Sequence, residues 1–203
     1  MAASKPSLAA RRKTETRLEI AHTAARLFAE QGTAAVTAEQ IAAEAGVGLR
    51  TFYRYCRTKE DAVEPMLSTG ASRWLDALAA GPRRLPTRAE LEHAAVRALT
   101  PDAEIGEELD IMRGLLRAMA GDPALHTVWQ RVNSSGEQAL LTTLTDLSPD
   151  SDPLRLRLLA AAAATAIRIA LEQWATTDAP ATGAGSPADL VATCMHDLTG
   201  NIR

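Results

Sequence analysis

Apolar residues recur every three to four positions along most of this chain, and small or polar residues interrupt them at intervals that mark helix ends. Leu18, Ile20, Ala21, Ala24, Ala25, Leu27 and Phe28 give an apolar side to a helix predicted from about Thr14 to Gln31, with Gly32 ending it. A second predicted helix is capped by Thr37 with Gln40 three residues on, carries Ile41, Ala42 and Ala45 on one side, and stops at Gly46. After Val47 and Gly48 comes LRTFYRYC, in which Phe52 and Cys56 lie four apart on one face while Arg50, Thr51, Tyr53, Arg54 and Tyr55 crowd the rest. These three helices enclose a small core of Leu27, Phe28, Val36, Ile41, Val47 and Phe52. Ahead of them, residues 1–13 show no periodicity, contain Pro6 and run into Arg11-Arg12-Lys13. They are expected to form a flexible basic arm, either a solvated tail or a segment that follows phosphates or enters a minor groove.

Thr58 with Asp61 opens a fourth predicted helix reaching about Ala80, buried through Ala62, Val63, Met66, Leu67, Trp74, Leu75 and Leu78 and expected to kink at Pro65. Gly81–Thr87 reads as a linker, and Thr87 with Glu90 forms a capping box for a helix through Leu99. Thr100-Pro101 and Asp122-Pro123 start two more, the first with Ile105, Leu109, Met112, Leu115, Leu116 and Met119 at helical spacing, the second with Leu125, Val128, Trp129, Val132, Leu140, Leu141 and Leu144. Asp152-Pro153 begins a helix to about Trp174 that is apolar all round over 158–169, so it must be covered on most sides. Thr176–Pro187 is expected to be a flexible loop. Ser186-Pro187 with Asp189 caps a last helix whose Leu190, Val191, Cys194, Met195 and Leu198 make one stripe. No stretch alternates with the period of two that a strand needs. The expected fold is all-α, with an arm (1–13), a three-helix head (14–60) and a helical-bundle body (61–203). Two helices with more apolar surface than one chain can cover suggest a homodimer through a four-helix interface, Pro153–Trp174 and 188–202 from each subunit.

The net charge of −3 conceals a division: residues 1–60 hold ten Lys and Arg against six Asp and Glu, and residues 61–203 hold twelve against nineteen. The basic end is therefore where phosphate would be met, and the acidic remainder should stay off a duplex. No run approaches the length of a membrane span and neither end has an export signal, so a cytoplasmic protein with reduced thiols is expected. Cys56 and Cys194 read as small buried hydrophobes, with redox sensing as the other reading. His22, His93, His126 and His196 lie on separate elements with no nucleophile or ligand partner at working spacing, and no phosphate-cradling glycine loop exists. No enzyme, cofactor or metal site is expected.

The stretch 37–60 supplies Thr37, Ile41, Ala42, Ala45, Gly46, Val47, Thr51, Phe52, Tyr53, Tyr55, Thr58, Lys59 and Glu60 in register with the helix-turn-helix of TetR-family transcription regulators, which it resembles. The resemblance implies phosphate contacts at Thr37, Thr51, Tyr53 and Lys59, and base edges facing Leu49, Arg50, Arg54 and Tyr55. Two positions depart from the pattern. Cys56 replaces a bulkier residue, so packing under the helix should be looser, and Gly48 often is Ser, so its first turn should be less well capped. In the family the last two helices form the dimer and the body holds a ligand. Candidate ligand residues are Trp74, Met112, Leu115, Leu116, Met119, Trp129 and Leu171, which equally suit an ordinary core. Arg113 and Arg117 would either meet an anionic group or pair with Glu107, Glu108 or Asp110. RLRLLAAAAATAIRIALEQW, residues 155–174, also resembles the acyl-CoA-type ligand domain of mycofactocin regulators. The expected function is a repressor released from palindromic operator DNA by a small, apolar or acyl-type effector. A helical module that binds another protein through the same exposed helix is the alternative.

Overall fold

The computed structural model describes residues 7–101, 103–200 and 202, and every element among them is helical. The helices are α1 (Leu8–Gln31), α2 (Ala38–Glu44), α3 (Leu49–Tyr55), α4 (Glu64–Ala79), α5 (Arg88–Leu99), α6 (Ala103–Ala118), α7 (Pro123–Leu147), α8 (Pro153–Ala175) and α9 (Pro187–Thr199), with 3₁₀ turns at Thr33–Ala35, Glu60–Val63 and Met119–Gly121.

Local chemistry sets most boundaries. Thr37, Asp122, Asp152 and Ser186 accept hydrogen bonds from backbone N–H groups in the first turns of α2, α7, α8 and α9, and Pro123, Pro153 and Pro187 stand at the first helical position, where a missing N–H costs nothing. Gly46, at φ 66°, ends α2 with the Gly46 N–H on Ala43 O (3.1 Å) and the Val47 N–H on Ala42 O (2.9 Å), both bonds of a Schellman turn. The 1–13 arm is corrected over its described part. Arg11, Arg12 and Lys13 lie within α1, which starts at Leu8, because no residue before Thr14 breaks a helix once Pro6 is passed; residues 1–6 lie outside the described residues. Leu18, expected in the core, is on the exposed side of α1. The Pro65 kink takes another form: a 3₁₀ turn at Glu60–Val63 precedes α4, and Pro65 sits in the first turn of α4, where no backbone bond is lost.

Thr87 and Glu90 form both bonds of the capping box on α5, and Arg84 adds two more to the same carboxylate at 2.7 and 2.6 Å. The Arg84 guanidinium, then the Thr87 N–H and hydroxyl, hold the Glu90 carboxyl down to about 2 from an ordinary 4.5. A pKa lower in the folded state means stabilisation that is complete above about pH 4.5 and lost as pH falls towards 2. Glu90→Gln is therefore expected to flatten the loss of thermal stability between those pH values while lowering stability at neutral pH, read by circular dichroism melts.

Buried residues form one continuous core from Ile20 in α1 to Met195 in α9. In the body, α8 packs on α7 and α9, α9 on α5, and α4 on α5 and α7, while α6 lies against α1. The α9 stripe divides: Val191 and Met195 are fully buried within the protomer, whereas Leu190, Cys194 and Leu198 retain surface. The loop after α8 is held more firmly than its composition suggests. Ala179 O accepts from the Trp174 indole N–H (3.0 Å) and from Arg113, whose guanidinium lies 3.7 Å from the Trp174 ring centre, and Arg117 reaches Ala175 O, Thr177 O and Asp178.

Candidate nucleic-acid interface and ligand cavity

On α3, Phe52 is fully buried and Cys56 just beyond the helix nearly so, which leaves Leu49, Arg50, Tyr53 and Arg54 exposed on the opposite side. Thr51 and Tyr55 are half-buried at its edges. Burial pushes the Cys56 thiol up to about 11, so it stays protonated and unreactive at neutral pH. The Phe52 and Tyr53 rings meet edge to face at 5.3 Å, and the Arg54 guanidinium sits 5.1 Å from the Tyr55 ring centre. Those contacts hold the aromatic and cationic groups in fixed positions. As expected from Gly48, no side chain caps α3; the Gly48 carbonyl takes the Thr51 and Phe52 N–H groups.

Two shallow clefts flank this surface. Arg12, Lys13 and Thr16 of α1 meet Arg54 and Tyr55 around one, of about 380 Å³, so the basic cluster stands beside α3. The other, about 480 Å³, is bordered by Thr37, Tyr53, Lys59 and Arg57. Periodicity does not single out Arg57, because it follows the helix and belongs to no repeating face; only the local excess of positive charge points to it. Lys59 lies at that cleft, yet its ammonium donates inward to Thr33 O (2.6 Å) and Val36 O (2.8 Å). It thus closes the turn that places Thr37, and only one of its three N–H groups remains for a phosphate.

The same turn docks on the body. Burial opposes ionisation of Asp122, but the Thr33 hydroxyl, the Leu125 and Ala124 N–H groups and nearby Lys59 hold its carboxyl below the usual range. Arg131 of α7 bridges Asp61 (2.6 Å) and Glu64 (3.1 Å) at the start of α4.

From that anchored start α4 runs into the body and lines a cavity of about 80 Å³ with Met66, Trp74 and Leu75; Met112 of α6, Trp129 of α7 and Leu171 of α8 complete much of the rest. Of the seven expected ligand residues, Trp74, Met112, Trp129 and Leu171 come together here. Leu115, Leu116 and Met119 do not; they are buried in the core away from the cavity, because α6 turns that face elsewhere. Arg113 and Arg117 face the loop after α8, so they neither offer a cationic site in the cavity nor pair with Glu108 or Asp110; the Glu107 side chain lies outside the described residues. Among the described residues no group of three His, Cys, Asp or Glu side chains is placed to hold a metal, and no helix is long and apolar enough to cross a membrane.

The family model of bacterial regulatory proteins of the tetR family matches residues 20–64, which border the second cleft throughout and supply Arg54 and Tyr55 to the first. The head is that of a TetR-family regulator. The TetR-type fold extends through the body. A TetR-family transcriptional regulator from Rhodococcus sp. superposes with a TM-score of 0.58 at 16% identity, over 94% of this chain and 100% of that one. NalD, the secondary repressor of the MexAB-OprM multidrug efflux pump in Pseudomonas aeruginosa, gives 0.56 at 19% identity over 95% of each chain. The multidrug binding protein EbrR complexed with imidazole gives 0.52 at 22% identity, over 90% of this chain and 93% of that one. At such identities the likeness establishes the fold alone. No curated protein matches the chain as a relative.

Proposed function

We propose that the protein is a cytoplasmic, non-enzymatic repressor that binds a palindromic operator as a homodimer and releases it when a small, largely apolar ligand fills the body cavity. The observation that carries this reading is α4. Its first turn and the 3₁₀ turn before it are tied to the head and to α7 through Asp61, Glu64, Arg131 and Arg17, and its middle forms one wall of the cavity. A ligand that shifts that wall moves the end that sets the head. Two heads must fit two grooves at once, with half-sites about 34–36 Å apart or a multiple of that, so a small change in their separation costs contacts at one half-site. Coupling of about 1–3 kcal/mol is typical, and linkage requires operator DNA to weaken the ligand by the same factor. The functional division is a head over 14–60 and a ligand-binding, dimerising body over 61–203. The NalD and EbrR folds, which serve a drug-efflux repressor and a multidrug binding protein, support a ligand role for the body. The dimer face is argued from Leu154, Leu158 and Ile169 of α8 and Leu198 of α9, all exposed.

Thr37, Thr51, Tyr53 and Lys59 are assigned to phosphates, and Leu49, Arg50, Arg54 and Tyr55 to base edges. Tyr53→Phe and Lys59→Ala are expected to weaken all duplexes about equally, and Lys59→Ala also lowers thermal stability because the Thr33 and Val36 carbonyls lose their donor. Arg54→Ala should change sequence preference and cost about 1–3 kcal/mol at one base pair. Competition binding against operator and random duplexes separates the two classes. Equal weakening of both by Arg54→Ala would remove the base-reading assignment.

The reading as a whole is tested by operator affinity with and without cavity ligands, in the native chain and in Met112→Trp, which fills the cavity. The expected variant keeps DNA affinity and loses release. A chain whose operator affinity ignores every compound that binds the cavity would overturn the release mechanism.

A further inference from the structure

The polar groups around the cavity are unevenly supplied. Trp74 and Trp129 line it, but their indole N–H groups are used outside it, on Leu91 O (3.4 Å) and Glu172 Oε1 (2.7 Å). What the two rings offer a ligand is aromatic surface. Asn133, also in the lining, donates its amide to Trp129 O at 2.8 Å and keeps its side-chain oxygen as an acceptor. Three lining residues are charged. Arg73 and Glu108 form an ion pair at 2.6 Å and largely cancel, whereas Glu137 makes no ion pair or side-chain hydrogen bond with any described residue. Among the described residues the cavity thus has apolar walls, two aromatic rings, spare acceptors and one carboxylate without a counter-ion; the Arg73 Nε is its one buried donor without a partner.

We propose, building on the release reading above, that the ligand is a small organic cation with an apolar body, its charge balanced by Glu137 and by the faces of Trp74 and Trp129. Moving a cation out of water is costly unless an opposite charge or an aromatic face replaces the lost solvent, and both are in this lining. An acyl-type effector with an acidic head meets the opposite arrangement. Its carboxylate would add to that of Glu137, and the cation in the described lining, Arg73, is already committed to Glu108. The cavity holds about 80 Å³ as it stands, so a ring with a compact branched head must displace its walls, α4 among them, which is the movement that the release reading requires.

Phenyltrimethylammonium, its neutral carbon isostere tert-butylbenzene and the anion benzoate differ chiefly in charge and test the assignment directly. By titration calorimetry on the full chain without DNA, the cation is expected to bind about tenfold or more tighter than the isostere, with benzoate weakest. Glu137→Gln should remove most of that advantage and leave tert-butylbenzene unchanged; Glu137→Asp should keep part of it. Benzoate binding tightest, cation and isostere binding alike, an advantage that survives Glu137→Gln, or no binding by any of the three would each overturn the assignment. Operator affinity is measured separately. A cation that binds through Glu137 and leaves the operator in place supports the ligand class and overturns the release mechanism instead.

Discussion

Leu158→Glu combined with Leu198→Glu is expected to convert the protein to monomers and to lower operator affinity about a hundredfold or more. Leu154, Leu158 and Ile169 recur on α8 at spacings of four and eleven, hence on one face, and they remain 63%, 51% and 39% exposed; Leu198 of α9 is 40% exposed. Covering the exposed part of one such side chain is worth about 1 kcal/mol, and a two-fold interface uses every residue twice. The two glutamates would reverse that gain and place four like charges together. Because Leu158 and Leu198 are only partly covered within the protomer, helicity should be kept and protomer stability should fall far less than at Met195, which is fully buried and unsuitable for the test. Light scattering and a mobility-shift titration give both readouts. Dimers that persist with native operator affinity would place the interface elsewhere.

Features that depend on neighbours along the chain are legible in the sequence itself. Thr37, Thr87, Asp122, Asp152 and Ser186 cap the helices that follow them, and Gly32 and Gly46 adopt the positive φ that ends a helix, because each effect is settled within one turn of chain. The exposed face of α3 is legible for the same reason. Once Phe52 is inside, Arg50 and Arg54 must be outside. What periodicity does not encode is which neighbour a buried face meets. Met112, Leu115, Leu116 and Met119 share helical spacing, yet Met112 lines the cavity while the other three serve the core. The partners of Arg113 and Arg117 lie about sixty residues on, in a loop whose Ala, Gly and Thr content suggests freedom, and the arginines remove it. A motif position alone turns Lys59 outward; its two inward bonds depend on the fold of the Thr33 turn.

The same distinction applies to a close crossing of body and head, where α6 meets α1. Gly114 is an ordinary helical residue of α6, so backbone conformation does not demand glycine there, and a mid-helix glycine costs about 1 kcal/mol against alanine. The reason is space. A Cβ at Gly114 would lie 2.5 Å from the Ala29 Cβ and 3.2 Å from the Ala29 Cα, atoms fixed to the backbone of α1 that cannot swing aside. Any side chain must therefore part α6 from α1. Gly114→Val is expected to cost about 1–3 kcal/mol or more and to lower Tm by several degrees. Met112 lies two residues away in the cavity wall, and Arg113 and Arg117 hold the far loop, so α6 is restrained on several sides and α1 is the element left to move. Since α1 carries Arg12 and Lys13 to the side of α3, operator affinity should fall along with stability, and Gly114→Ala should show both effects to a smaller degree. Melting curves and operator titrations on the two variants decide it. Native stability and native operator affinity in Gly114→Val would show that α1 and α6 yield to a side chain at this crossing, and the rigid coupling of body to head would have to run through α4 and α7 alone.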